Sequence, residues 1–224
     1  MPVAQVAAPS LPPTEMGAGG ILDLAALRHA DVVFEPYPHF VVENFVRRDH
    51  LTPILEDFPR ELRGGSYPLD RVHHGEAVGA LIEALGSGEL RELVSRKFQI
   101  DLGDAPVTTT LRGHSRTKDG KVHTDSKSKL VTLLLYLNEP GDVEAGHLRL
   151  LRSSDVEDFF CEIAPGAGTL AGFRVTENCW HGYRPYEGPR RSVQLNYVTN
   201  AAATDRHLWR HRLSARVKRL IRAA

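Results

Sequence analysis

The sequence predicts an α+β fold: a β-rich second half of the sandwich or jelly-roll kind, with helices of the first half packed outside it. Three observations carry this. Up to about Phe98, most apolar residues recur at helical spacing. From about Val107, short β-prone runs follow one another, separated by turns rich in Gly, Pro, Asn and Asp. After residue 200 the helical spacing returns.

Residues 1–20 are rich in Ala, Pro and Gly and lack periodicity, so a disordered tail is expected. "ILDLAALRHA" predicts a short helix, and "PYPHFVVENFV", alternating and aromatic, predicts a strand. "RRDHLTPILEDFP" repeats Leu51, Ile54, Leu55 and Phe58 on one helical face, with Asp49 as the expected N-cap. "RGGSYP" reads as a loop. "EAVGALIEALGSG" and "GELRELVSRKF" read as amphipathic helices, the first stopped by its glycine. The expected strands then run through "VTTTLRG", "KLVTLLLYLN", "HLRLLR", "FFCEIAP", "GTLAGF", "NCWHGY" and "RSVQLNYV". The expected organisation is one domain over 21–200, with its β core at about 100–200, and a basic amphipathic helix over 204–222.

Composition narrows the function classes. The 224 residues suffice for a full hydrophobic core. Lys+Arg and Asp+Glu both number 28, so the molecule as a whole is no electrostatic binder of nucleic acid. Two cysteines, Cys161 and Cys179, make no disulfide framework and are expected to be reduced thiols. No apolar run is long enough to span a membrane, and the N-terminus lacks a secretory pattern, so a cytoplasmic location is the expectation. The C-terminal helix sets Leu208, Leu213, Val217, Leu220 and Ile221 among arginines and lysines. Packing on the domain is its preferred reading, ahead of an anionic membrane surface or an acidic partner. Nucleic acid is the weakest reading, because Trp209 is the one aromatic there able to stack on a base.

The chemistry centres on "KVHTDSKSK" at 121–129. Side chains at i and i+2 of a strand share a face, so His123 and Asp125 are expected to aim at one metal. An imidazole and a carboxylate suit a borderline divalent ion such as Fe(II). His181 in "NCWHGYRP" is the expected third ligand, from a late strand. Two His and one carboxylate form a facial triad that leaves open positions for a chelating cosubstrate and O₂. In "GPRRSVQLNYV", Arg190, Ser192, Gln194 and Asn196 share one face and Arg191, Val193 and Leu195 the other. The polar face suits a functional lumen, so Arg190 is favoured to hold a dicarboxylate's far end, with Arg191 as the alternative.

These residues resemble the iron(II)- and 2-oxoglutarate-dependent dioxygenases, in their prolyl 4-hydroxylase-like branch. "HTD" at 123–125, "WHG" at 180–182 and "PRRS" at 189–192 carry the resemblance, with "LVTLLLYLNE", "AGHLRLL", "PGAGTLAGF" and "PYPHFVVENFV" around them. It covers roughly residues 35–200. The resemblance implies a double-stranded β-helix and Fe(II) on His123, Asp125 and His181. It further implies 2-oxoglutarate with its distal carboxylate on Arg190, met by Tyr136, with Thr132 on the same face nearer the metal loop. The implied reaction couples 2-oxoglutarate decarboxylation and O₂ cleavage to hydroxylation of an unactivated C–H bond. Halogenating members replace the carboxylate ligand by a small residue; Asp125 is present here, which favours hydroxylation.

Other residues have plainer readings. His114 and His147 are rivals in the β region but have no carboxylate at i+2. Trp180 is read as packing, and Lys127 and Lys129 as a solvated loop. Arg112 and Arg116 precede the metal loop and are candidates for substrate or cosubstrate contact. Two rival functions share the barrel: a metal-dependent cupin-like enzyme without 2-oxoglutarate, and a non-catalytic binding module. The expected partner is a small-molecule or peptidyl substrate, and nothing in the sequence chooses among amino acid, peptide, saccharide or lipid-like classes.

Overall fold

The structure, a computed structural model, describes residues 20–142 and 144–200. The expected basic helix over 204–222 and all of the expected tail except Gly20 lie outside the described residues. Four helices form in the first half: α1 (Leu24–His29), α2 (Arg48–Asp57), α3 (Glu76–Leu85) and α4 (Gly88–Phe98). The strands are β1 (His39–Val42), β2 (Tyr67–Pro68), β3 (Val107–Ser115), β4 (Lys129–Tyr136), β5 (Leu148–Leu151), β6 (Phe159–Ile163), β7 (Leu170–Arg174), β8 (His181–Gly182) and β9 (Gly188–Val198).

Local signals account for the helix ends. Asp23 accepts from the Ala26 amide at 2.9 Å to start α1, and Ser87 accepts from Leu90 N to start α4. Gly86 is the C-cap of α3, where the sequence placed its stop. The N-cap expected at Asp49 is corrected: α2 starts two residues earlier, after Arg47, and Asp49 lies in its first turn. There its charge still favours the positive end of the helix dipole. The "RGGSYP" loop contains a short strand that the sequence did not signal: β2 pairs Tyr67 with Leu111 and Pro68 with Thr110.

All strand pairs are antiparallel, in a mixed fold of helices and sheets. Six strands form one sheet in the order β1-β7-β4-β9-β3-β2, and three form a second, β6-β5-β8. Period-2 alternation decides what each face does. Val131, Leu133 and Leu135 of β4, with Val193, Leu195 and Tyr197 of β9, join the helices in the larger core. Each fully buried Leu, Val or Phe there contributes about 1.5–3 kcal/mol. The opposite face carries Thr132, Leu134 and Tyr136 of β4 and the polar residues of β9. A second core lies on that side, where Leu134 and Phe173 meet Leu148, Leu150 and Ile163 of the small sheet. The polar end of this inner face stays open as a cavity of about 590 Å³.

Candidate active site

His123, Asp125 and His181 converge at this cavity, each offering a ligand atom within 4.8 Å of the other two. The backbone route differs from the one expected. His123 and Asp125 are not neighbours in a regular strand; both lie in the connection from β3 to β4. His123 makes an isolated bridge to His181, each amide donating to the other's carbonyl at 3.0 Å. Loop against strand, rather than pleat alternation, thus brings the residues together. Gly182 permits the approach: a Cβ there would stand 2.8 Å from Gly120 O and 2.9 Å from Val122 Cα.

Both imidazoles are oriented alike. His123 Nδ1 lies 2.8 Å from Lys121 O and His181 Nδ1 lies 2.9 Å from Cys179 O. A carbonyl only accepts, so each Nδ1 carries the proton and each Nε2 keeps its lone pair for a metal. Burial pushes the His181 imidazolium down to about 4, so the ring is neutral at pH 7. Burial opposes the charge of Asp125, but His181, Lys129 and Thr132 outweigh it and hold the carboxyl below its ordinary range. Lys129 Nζ donates to Oδ1 at 2.6 Å, and Thr132 Oγ1 donates to Oδ2 at 2.6 Å. Two imidazoles that turn Nε2 inward and a buried carboxylate are a donor set that fits Fe(II).

The far wall fits a carboxylate. Arg190 is 4% exposed; its Nε donates to Gly146 O at 2.9 Å and its Nη2 to Tyr136 Oη at 3.1 Å. Burial raises the Tyr136 pKa against the pull of Arg190, so the phenol keeps its proton to donate. The Tyr183 ring lies under the Arg190 guanidinium at 4.0 Å from its centroid. Arg191 faces elsewhere and pairs with Glu139 at 2.9 Å near the surface.

Other sequence candidates sort clearly. Lys127 pairs with Glu177 in solvent, but Lys129 is not a solvated loop residue: its side chain is 20% exposed and grips Asp125. The i+4 spacing from Asp125 was the available signal. Arg116 binds Asp119 through Nε and Nη2, whereas Arg112 lines the cavity. Trp180, His114 and His147 do not line it. Tyr183 does, and nothing in its sequence context marked it.

Residues 111–198 match the model of the 2OG-Fe(II) oxygenase superfamily. That segment, under half of the chain, holds the triad, Tyr136 and Arg190; members of that superfamily use Fe(II), 2-oxoglutarate and O₂. Three solved structures with a similar fold are prolyl hydroxylases. The fold matches a Pseudomonas putida prolyl-4-hydroxylase at 19% identity and TM-score 0.52, over 72% of this chain and 85% of that one. A prolyl 4-hydroxylase from Phytophthora capsici follows at 16% identity and TM-score 0.49, over 72% of this chain and 59% of that one. The Trichoplax adhaerens prolyl hydroxylase, solved with a hypoxia inducible factor peptide fragment, gives 16% and 0.44, over 71% and 83%. No curated protein matches the chain. Among the described residues no helix is long and apolar enough to cross a membrane.

Proposed function

We propose that this chain is an Fe(II)- and 2-oxoglutarate-dependent dioxygenase that hydroxylates an unactivated C–H bond of a small-molecule or peptidyl substrate. The observation that carries this is that one cavity is lined by the His123–Asp125–His181 cluster and by Arg190, whose guanidinium donates to the buried Tyr136. The facing antiparallel sheets are read as a double-stranded β-helix core within a single domain over 21–200. The free thiols of Cys161 and Cys179 suit a reducing, cytoplasmic setting.

His123, Asp125 and His181 hold the metal, and Thr132 orients the Asp125 carboxylate. Arg190 and Tyr136 take the distal carboxylate of 2-oxoglutarate, a fork and a hydroxyl meeting two oxygens. When bound, iron, 2-oxoglutarate and O₂ supply an oxidative decarboxylation that yields succinate and CO₂ and places one oxygen atom in the substrate C–H bond. The protein's remaining work is positional. Leu134, Leu148, Thr108, Thr110 and Gln194 line the cavity. They fix which carbon is presented and limit free water around the reacting atoms.

The test is an anaerobic titration of the Fe(II)-loaded protein with 2-oxoglutarate, following the visible metal-to-ligand charge-transfer band. We expect the band in wild type, its loss in His181→Ala, and 2-oxoglutarate turnover to succinate that disappears in Arg190→Ala. Iron binding without the band would favour a cupin-like enzyme without 2-oxoglutarate. Failure to bind iron would leave a non-catalytic module.

A further inference from the structure

The cavity is lined by two arginines, and the proposed reaction uses one. Arg112 of β3 meets Tyr183 at its hydroxyl, whereas Arg190 lies over the face of the ring. Its Nη1 donates to Tyr183 Oη at 3.1 Å and its Nη2 to Ser66 Oγ at 3.0 Å. Tyr183 Oη is fixed in turn by Ser115 Oγ at 2.8 Å. Both partners of Arg112 are neutral hydroxyls, and they use two of the five donors of a guanidinium. Among the described residues no carboxylate lies within ion-pair distance of Arg112. Asp119 feels its field, but both Asp119 oxygens bond to Arg116.

The charges around the cavity then pair off unevenly. Lys129 is matched by Asp125, Asp119 by Arg116, and Arg190 by the distal carboxylate of 2-oxoglutarate. Arg112 is left over, half-buried, with Lys118 and Lys121 exposed at the rim. A half-buried guanidinium with only neutral partners is stabilised by an anion that accepts from its fork. The wall beside it is polar, with Thr108, Thr110 and Gln194 in the cavity lining.

We propose that Arg112, assisted by Lys118 and Lys121, is a second anion-binding station that holds a carboxylate or phosphate of the primary substrate. The substrate is then an anion, anchored at the hydroxyl of Tyr183, whose ring face lies under Arg190. This builds on the reading of the triad and Arg190 given above.

The test uses full-length protein under anaerobic conditions. Fe(II) and 2-oxoglutarate affinities are measured first in wild type and Arg112→Gln. Equal values in both show that the variant folds and separate the station from the dioxygenase reading; no 2-oxoglutarate binding in wild type would defeat that reading instead. Matched probes are then titrated calorimetrically onto the loaded protein: N-acetylglycine against its N-methylamide, and glycerol 3-phosphate against glycerol. The charged member of at least one pair is expected to bind while its neutral twin does not, and the two pairs separate carboxylate from phosphate. Arg112→Gln should weaken that binding by about tenfold or more, the scale of a lost charge-assisted hydrogen-bond pair. Equal binding of charged and neutral probes, undiminished binding to Arg112→Gln, or no binding of any probe would overturn the proposal.

Discussion

Lys129 Nζ lies 2.6 Å from Asp125 Oδ1, the oxygen that also faces His123 Nε2 at 4.0 Å. The ammonium therefore bonds the carboxylate oxygen that lies toward His123 and would compete there with a metal, while Thr132 secures the other oxygen. Thr132→Val should weaken Fe(II) or Co(II) binding by about tenfold or more, the usual effect of removing a ligand's orienting partner. Lys129→Met should tighten it, because a competing and repelling charge is gone. Anaerobic metal titration of both variants decides; equal weakening by both would mean that Lys129 helps hold Asp125 rather than opposing the metal.

Arg190 and Arg191 give a second contrast. Arg190→Lys keeps the charge but loses the planar fork, so 2-oxoglutarate affinity should fall by about tenfold or more. Arg191→Ala removes a surface pair with Glu139 and should leave that affinity near wild type, with at most about 1 kcal/mol lost in stability. The titration that follows the charge-transfer band measures both. Reversal of the two effects would move the cosubstrate role to Arg191.

Gly182→Ala should damage the site through the backbone. The new Cβ meets Gly120 O and the Val122 main chain at 2.8–3.0 Å, atoms that move only if the loop separates from β8. We expect about 1–3 kcal/mol of destabilisation in denaturant unfolding together with weakened metal binding. An unchanged metal affinity would show that the loop yields without disturbing His123.

Asp119 supplies a pH dependence away from the metal cluster. The Arg116 guanidinium holds its carboxyl at about 2, below the ordinary 3.8. Between these values the unfolded chain binds the proton that the folded chain refuses, so stability falls as pH falls. The advantage of wild type over Asp119→Asn should be full above about pH 4 and gone near pH 2. Unfolding curves at several pH values test this, and an advantage constant with pH would exclude the pair as its source.

Much of the architecture was legible because local chemistry and period decide it. Alternation in "SVQLNYV" separated Val193, Leu195 and Tyr197, now in the core, from Ser192, Gln194 and Asn196, now lining the cavity. The same rule placed Thr132 and Tyr136 on one face. Residue types alone nominated His123, Asp125, His181 and Arg190. The reason offered for the first pair was incomplete, since a loop, not a pleat, carries Asp125.

What the sequence determined by itself was thus whatever depends on neighbours within a few residues: helices, strands, their faces and the nominated ligands. Only the tertiary structure decided which distant groups meet. It set Lys129 on Asp125, Tyr183 against two arginines, and Arg116 rather than Arg112 on Asp119. Those contacts depend on how strands far apart in the chain are stacked and how closely glycines let them approach, and no spacing in one segment encodes such distances.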